Sequence, residues 1–390
     1  MKPSRKSSGD EPMKKKLLYI HHRLGCGGAE QALYDQICLL DKEKFDITVF
    51  VVYTGGEWDQ KFRDAGIKVV DVWAGQKVSG NPLVKLGNLI KRARIRHSMK
   101  HKFANAINIC FPGEFDLVVS KSAGVRPELD KARGAKVIKY IHGNVETNPE
   151  YREGLESYGA DIRRFDRYIC VSEESRQAFC RMTGLDKQVV TCYNPLNSAN
   201  VRTLAQAPNP LPTDAPVLCA VGRLAAEKAY DRLIRIHREI LDAGVFHRLV
   251  IVGDGPERET LERCIEKTDT AATVTLAGYT INPYPYIKHC SFMVCSSYTE
   301  GLPVIAMEAL CLGTPIVSAV PSVGELFAED CCGLITENDD ESLKNGILKM
   351  LTDREFYDRV KAGAAKASCR FDGREMVKKI EQLYQEVLES

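Results

Sequence analysis

Neither sign of charge predominates in this sequence: 54 Lys and Arg stand against 52 Asp and Glu, a net of +2 over 390 residues. Overall charge therefore excludes nothing and selects no polyanionic partner, and any electrostatic recognition has to come from a local patch. Long apolar runs are also missing. Leu17–Ile20, the first apolar stretch, is too short for the core of a signal peptide. No stretch reaches the roughly 18 apolar residues of a membrane span. The reading is a cytoplasmic protein whose polar residues 1–13 form a disordered lead-in before Lys14-Lys15-Lys16. Metal-finger spacing is absent as well. The 14 Cys include no CxxC pair and are scattered apart from Cys331-Cys332. Cys170, Cys219 and Cys295 sit inside apolar runs, so the cysteines read as reduced, small apolar residues, with one disulfide or redox pair as the alternative. His21, His22 and His142 are joined by no carboxylate cluster at ligand spacing, so no metal site and no bound cofactor is expected.

What the chain does have is a repeated alternation. Apolar β-type runs at 17–20, 47–52, 69–72, 117–119, 137–141, 168–171 and 189–192 are separated by stretches long enough for crossover helices. Continuous apolar strands joined in this way indicate a parallel sheet covered on both faces. Asn194-Pro195 and a Pro-rich stretch then interrupt the pattern, which restarts at Val217–Val221 and continues through 249–252, 274–276, 292–295 and 316–317. The fold class is α/β, with two Rossmann-like domains facing each other. The expected division is 14–195, a linker over 196–214, and 215–372, followed by a last helix over about 373–390. A single large α/β enzyme with an insertion is the rival architecture. An eight-fold barrel fits less well, because the two halves restart alike.

The stretch Cys295–Pro315 carries the most chemistry. A buried strand ends at Cys295, a polar turn reaches Glu300-Gly301, and Pro303 suits the first turn of a helix that Gly313 ends. Amides near Gly301, Leu302 and Val304 would face a ligand, and a helix start binds phosphate. Glu308 lies in the apolar part of that helix and needs a partner; ribose hydroxyls would serve, as would a basic side chain in a purely structural reading. Gly222-Arg223-Leu224 with Glu227-Lys228 places two cations beyond a strand end. They could clamp a diphosphate or simply be solvated. Gly253-Asp254-Gly255 is a further strand-end turn, weak by itself. In the first half Gly25-Cys26-Gly27-Gly28 follows the first strand but is not GxGxxG, which argues against a dinucleotide-dependent dehydrogenase. His142, before Gly143 at a strand end, is a site candidate or a satisfied structural histidine.

One local charge signal stands out. Between Val84 and Cys110 there are seven cations (Lys85, Lys91, Arg92, Arg94, Arg96, Lys100, Lys102) and no acid, interleaved with apolar residues at helical spacing. This basic region, 85–102, suits an anionic membrane surface or a phosphate-bearing acceptor; a solvated helix face is the plain alternative. Nucleic acid is not expected, since groove reading needs more than one helix of cations.

Taken together and in order, several motifs resemble the retaining GT-B glycosyltransferases of family 4, also called glycosyl transferases group 1. They are Gly27-Gly28-Ala29-Glu30, Tyr168–Ser172, Asn194-Pro195, Gly222-Arg223-Leu224 with Glu227-Lys228, Gly253–Pro256, Glu300–Pro303, Glu308-Ala309-Leu310 and Gly313-Thr314-Pro315. The resemblance runs from about residue 14 to the end. It implies that the second domain binds a nucleotide-sugar, UDP-linked more than GDP-linked, that the first takes a glycan or lipid-linked acceptor of cell-surface polysaccharide synthesis, and that the last helix, about 373–390, packs back on the first domain. It implies that Arg223 and Lys228 hold the diphosphate, Glu308 the ribose and Glu300 the donor sugar. Gly301 and Leu302 would offer amides, His142 would lie by the donor sugar, and Gly27 and Gly28 would approach the donor phosphate from the other domain. No divalent metal is normally required in this family. Gly222 and Gly253 complete the donor-side glycines. A GT-B epimerase or phosphorylase, or a non-catalytic nucleotide-sugar-binding protein, is the alternative. One position departs from the pattern: Ala229 stands where many relatives have Gly.

Overall fold

The computed structural model describes residues 14–25, 27–53, 55–71, 82–101, 115–121, 135–156 and 159–390. The expected lead-in 1–13, Cys26 of the first glycine loop and Lys102 of the basic region lie outside the described residues.

Two parallel sheets organise the chain. In the first, strands β1 (Lys15–His21), β2 (Phe45–Val51), β3 (Lys68–Asp71), β4 (Leu117–Ser120), β5 (Lys136–Ile141), β6 (Arg167–Cys170) and β7 (Val189–Thr191) lie in the order β3-β2-β1-β4-β5-β6-β7. The second has β8 (Val217–Val221), β9 (Arg248–Val252), β10 (Val274–Gly278), β11 (Phe292–Cys295), β12 (Ile316–Ser318) and β13 (Gly333–Ile335) in the order β10-β9-β8-β11-β12-β13. Every strand pairing is parallel, in register such as Tyr19 with Val49 and Val119. Each sheet reverses direction of winding once, between β1 and β4 and between β8 and β11. Loops leaving the carboxyl ends of those strand pairs diverge and leave a crevice, which is where open α/β sheets bind ligands.

The helices follow from the sequence between the strands. They are α1 (Gly28–Leu39), α2 (Asp59–Asp64), α3 (Pro82–His101), α4 (Pro149–Glu156), α5 (Glu173–Thr183), α6 (Ser198–Leu204), α7 (Tyr230–Asp242), α8 (Arg258–Lys267), α9 (Tyr284–His289), α10 (Val304–Cys311), α11 (Asp340–Thr352), α12 (Arg354–Ala367) and α13 (Gly373–Glu389). Alternate residues of β1 go to opposite faces, Leu17 and Tyr19 to one apolar cluster and Leu18 and Ile20 to another, all fully buried. Burying each such side chain contributes about 2 kcal/mol. The segment 196–214, expected as linker, contains helix α6, and its Leu196, Val201 and Ala205 join the same apolar cluster as both domains.

The closing helix α13 lies against the first sheet. Its Tyr384 hydroxyl is 2.9 Å from that of Tyr19 and accepts from Gln36 Nε2 at 2.8 Å, and Gln36 also donates to Tyr140 at 3.0 Å. This closed polar network inside an apolar core fixes where α13 sits, since moving any member strands a buried polar group.

Candidate active site

The two sheets meet through their loops. Gly301, after β11, packs on the loop after β5: a Cβ there would lie 2.1 Å from the His142 carbonyl oxygen. Thr299 and Thr147 share a hydroxyl hydrogen bond of 2.7 Å across the same junction. Further out, the Glu325 carboxylate accepts from the backbone N–H of Glu173 and Glu174 at 2.7 and 2.8 Å, and from the Tyr193 hydroxyl at 3.1 Å. It thus caps a helix of the other domain, taking amides that a helix start leaves unpaired.

On the second sheet the loops after β8 and β11, the two strands at the change of winding, are knitted together. Ser296 Oγ donates to the Lys228 carbonyl at 2.8 Å, and the Tyr298 N–H donates to the Glu227 carbonyl at 2.9 Å. Lys228 Nζ pairs directly with Glu300 Oε1, which also accepts from Ser297 Oγ at 3.0 Å. Arg223 is 69% exposed and, among the described residues, pairs with Glu227 at 3.1 Å, so most of its guanidinium faces solvent. Ala229 adopts φ 52°, ψ 42°, a left-handed conformation that costs an alanine about 1 kcal/mol and that glycine takes freely.

The helix start is one residue later than the sequence indicates: Pro303 is the N-cap of α10 and Val304 its first residue. Among the described residues the N–H groups of Gly301, Leu302 and Val304 find no backbone acceptor. Glu308, about one turn into α10, is buried and accepts from the Tyr284 hydroxyl at 3.1 Å. Burial, then the neighbouring Asp35 of α1, push its carboxyl up to about 7; the Tyr284 bond and Lys61 of α2 pull the other way. Its direct partner is therefore a hydroxyl and not a cation. Gly253 is set by backbone packing, since a Cβ there would lie 1.9 Å from the Gly222 carbonyl oxygen, whereas a Cβ on Gly222 would meet the Tyr230 hydroxyl at 2.8 Å.

On the first sheet His142 continues β5. Its ring lies nearly parallel to Tyr140 at 5.7 Å and bonds to the Lys121 backbone. Burial, aided by the charges of Lys121, His21 and Lys139, holds it well below the ordinary histidine range, so the ring is neutral. Its buried Nε2 has no hydrogen-bond partner among the described residues, which leaves a lone pair for a ligand hydroxyl. Lys121 lies beneath, buried, 2.6 Å from Gln36 Oε1 and 4.3 Å from the Tyr140 ring centroid. Gly28 faces α10: a Cβ on it would lie 3.8 Å from Val304 Cγ2. Gly27 is the N-cap of α1. Sequence reasoning missed Glu325, Asp35, Tyr284 and the Thr147–Thr299 bond, because each is a contact between residues far apart in the chain with no local motif.

Two family models match the chain back to back: Glycosyltransferase Family 4 over residues 26–200 and Glycosyl transferases group 1 over 201–367. The chain belongs to glycosyltransferase family 4, with the GT-B fold. Among curated proteins this family 4 chain is 29% identical over 230 residues to an uncharacterized glycosyltransferase of Methanocaldococcus jannaschii, covering 54% of this chain and 56% of the relative. It is 31% identical over 158 residues to the N-acetylgalactosamine-N,N'-diacetylbacillosaminyl-diphospho-undecaprenol 4-alpha-N-acetylgalactosaminyltransferase of Campylobacter jejuni, covering 40% and 42%. The matches span about half the length of these relatives. Among solved structures it resembles HepE of Anabaena with UDP and glucose (TM-score 0.72, 18% identity, 95% and 99% covered). It also resembles the pneumococcal O-GlcNAc transferase GtfA with UDP and GlcNAc (TM-score 0.70, 13% identity, 97% and 100% covered). At these identities the structures speak for the fold alone. Among the described residues no helix is long and apolar enough to cross a membrane.

Proposed function

We propose that the protein transfers a sugar, with retention of anomeric configuration, from a nucleotide-sugar to a glycan or lipid-linked acceptor in cell-surface polysaccharide synthesis. UDP-sugars are favoured over GDP-sugars. The observation that carries this reading is the convergence of Arg223, Lys228, Glu300 and the open amides of Gly301, Leu302 and Val304 at the winding change of the second sheet, opposite His142. Similar chains are named for lipopolysaccharide core synthesis in Rhizobium meliloti and teichuronic acid synthesis in Bacillus subtilis.

The chemistry follows from these groups. A departing nucleoside diphosphate carries charge that fixed cations and preorganised amides stabilise more than any general base would. Arg223 and Lys228 take that role, and Lys228 exchanges its bond with Glu300 for one with phosphate. Glu300, released, accepts hydroxyls of the donor sugar. Glu308, with Tyr284, receives the ribose hydroxyls. His142, neutral and with an unfilled Nε2, accepts a sugar hydroxyl near the anomeric centre. The acceptor attacks from the face the diphosphate leaves, and a diphosphate oxygen takes its proton.

The protein works in the cytoplasm against the inner membrane face through region 85–102. Leu83, Leu86, Leu89 and Ile90 of α3 are all exposed beside the cations Lys91 and Arg94. Flotation with anionic vesicles tests this part; no enrichment over neutral vesicles defeats it.

A panel of UDP- and GDP-sugars read by thermal shift and by donor hydrolysis tests the main reading. At least one is expected to raise the melting temperature, with Glu308→Ala weakening the effect. The reading fails if no nucleotide or nucleotide-sugar stabilises the protein at millimolar concentration.

A further inference from the structure

The backbone that carries Glu300 is held from two sides. On one side Tyr298 N–H and Ser296 Oγ donate to the Glu227 and Lys228 carbonyls. On the other side stands Asn338, between β13 and α11. Its Nδ2 donates to the Ser297 carbonyl at 3.2 Å and to the Tyr298 carbonyl at 3.0 Å. Behind Asn338 lies Arg232, in the first turn of α7 just after the Lys228 turn and completely buried. Arg232 Nη1 donates to Asn338 Oδ1 at 2.7 Å.

Burying this guanidinium is costly. Its Nε lies 2.9 Å from Asp340 Oδ1, but that carboxylate is 59% exposed, and Nη2 has no hydrogen-bond partner among the described residues. A buried charge answered so incompletely contributes little to stability, and an apolar side chain of similar volume would serve better. What the guanidinium does supply is direction. With a cationic N–H on Oδ1, the Asn338 amide must turn its nitrogen the other way, and both Nδ2 hydrogens go to the 297–298 backbone. A flipped amide would set Nδ2 against the cation and an oxygen against two carbonyls. The Tyr298 ring, its centroid 5.5 Å from Arg232 Cζ, closes the same corner.

We propose that Asn338, aimed by the buried Arg232, is a positioning residue for Glu300: it holds the backbone of Ser297 and Tyr298 so that the Glu300 carboxylate stays within reach of the donor sugar once Lys228 turns to the phosphates. This rests on the nucleotide-sugar reading above. Glu300 and Lys228 are paired without ligand and must part when the donor arrives. With the backbone held, only side chains move, and no reorganisation of the loop is added to the barrier. The start of α10 does not depend on Asn338, because Gly301 packs by itself on the His142 carbonyl. Loss of the Asn338 bonds therefore costs turnover and leaves affinity for the nucleoside diphosphate alone.

The test is Asn338→Asp, assayed for hydrolysis of whichever UDP- or GDP-sugar wild type hydrolyses fastest, and titrated calorimetrically with UDP and GDP. Asp keeps the size of the side chain and an oxygen for Arg232, and removes both N–H groups that reach Ser297 and Tyr298. Asn338 is exposed, and Asp adds a charge beside a buried cation, so the melting temperature is expected unchanged or higher. A fall in kcat of about tenfold or more is expected, with diphosphate affinity within about twofold of wild type. Wild-type kcat overturns the proposal. So does a loss of diphosphate affinity as large as the loss of kcat, which general damage to the domain would produce. Should Asn338→Asp not fold, Asn338→Ala, which also removes both N–H groups, is read against the same outcomes. If wild type hydrolyses no nucleotide-sugar, the donor reading itself falls and takes this inference with it.

Discussion

Gly301 and His142 come from different domains, yet there is no room for a single methyl group between them: a Cβ on Gly301 would fall 2.1 Å from the His142 carbonyl oxygen and 2.9 Å from Val171 Cγ2. Gly301→Ala is therefore expected to push the domains apart while each sheet stays folded. Overpacking of this kind costs about 1–3 kcal/mol. Small-angle scattering should show a larger radius of gyration, and donor hydrolysis should fall by at least tenfold. A variant with wild-type scattering and turnover would show that the junction gives way locally.

Lys228→Met removes the cation that holds Glu300. The Glu300 carboxylate then keeps Ser297 as its neutral partner. Losing one such preorganised group costs about 10²-fold in turnover. The loss should appear in kcat more than in KM, because a leaving diphosphate gains charge only in the transition state. A pure KM effect would assign Lys228 to ground-state binding.

Glu308 gives the ligand-free protein a pH signature. Its folded pKa of about 7 lies above the ordinary 4.5, so the folded state favours the protonated form. The contribution is fully present below about pH 4.5 and is lost as pH rises through about 7. Glu308→Gln, which mimics the protonated carboxyl, should therefore stabilise the protein at pH 8 relative to wild type, by roughly 3 kcal/mol at most. The difference should fade by pH 4.5. Denaturant melts at the two pH values check this, and a difference independent of pH would refute it. Asp35, pushed up to about 6 chiefly by burial, acts in the same direction over a lower window.

Glu325→Gln tests the contact between Glu325 and α5. Each charge-assisted bond to a helix amide contributes about 1 kcal/mol. Gln presents one oxygen where Glu presents two, so the variant should lose one of the bonds to Glu173 and Glu174. A melting temperature lower by a few degrees and faster amide exchange at Glu173 and Glu174 are expected; unaltered exchange would mean that the cap forms without the charge.

Much of this was legible before the structure. The strands ending at Val221 and Cys295 were visible as apolar runs, and the glycine and charged residues after them were placed at strand ends because turns and helix starts have local signatures. The same reasoning found Glu308, since a carboxylate among apolar helix residues demands a partner. It did not find Tyr284, because a single hydroxyl on a different helix leaves no trace in spacing. Glu30 was read as part of a glycine motif; that its carboxylate lies over the loop, 2.7 Å from where a Cβ on Gly27 would fall, leaves no local signature. Segment 196–214 was read as linker from its prolines. Those prolines lie after α6, whose Ser198–Leu204 carries no break of its own, and Asn197 caps the helix by accepting from Asn200 N–H at 3.2 Å. Ala229 shows the limit in the other direction: the backbone keeps the conformation that glycine would favour although the residue is alanine.

The bond between Tyr19 and Tyr384 joins residues 365 positions apart. The first domain is therefore completed by a helix made long after its own strands. At about 5–20 residues per second, Tyr19 waits roughly 20–70 s for the Tyr384 hydroxyl, with Gln36 and Tyr140 bonded only within the first domain in the meantime. The second domain, all of whose strands are emitted in one block, faces no such delay. The sheet whose strands are made earlier is thus completed only after every strand of the other has been made.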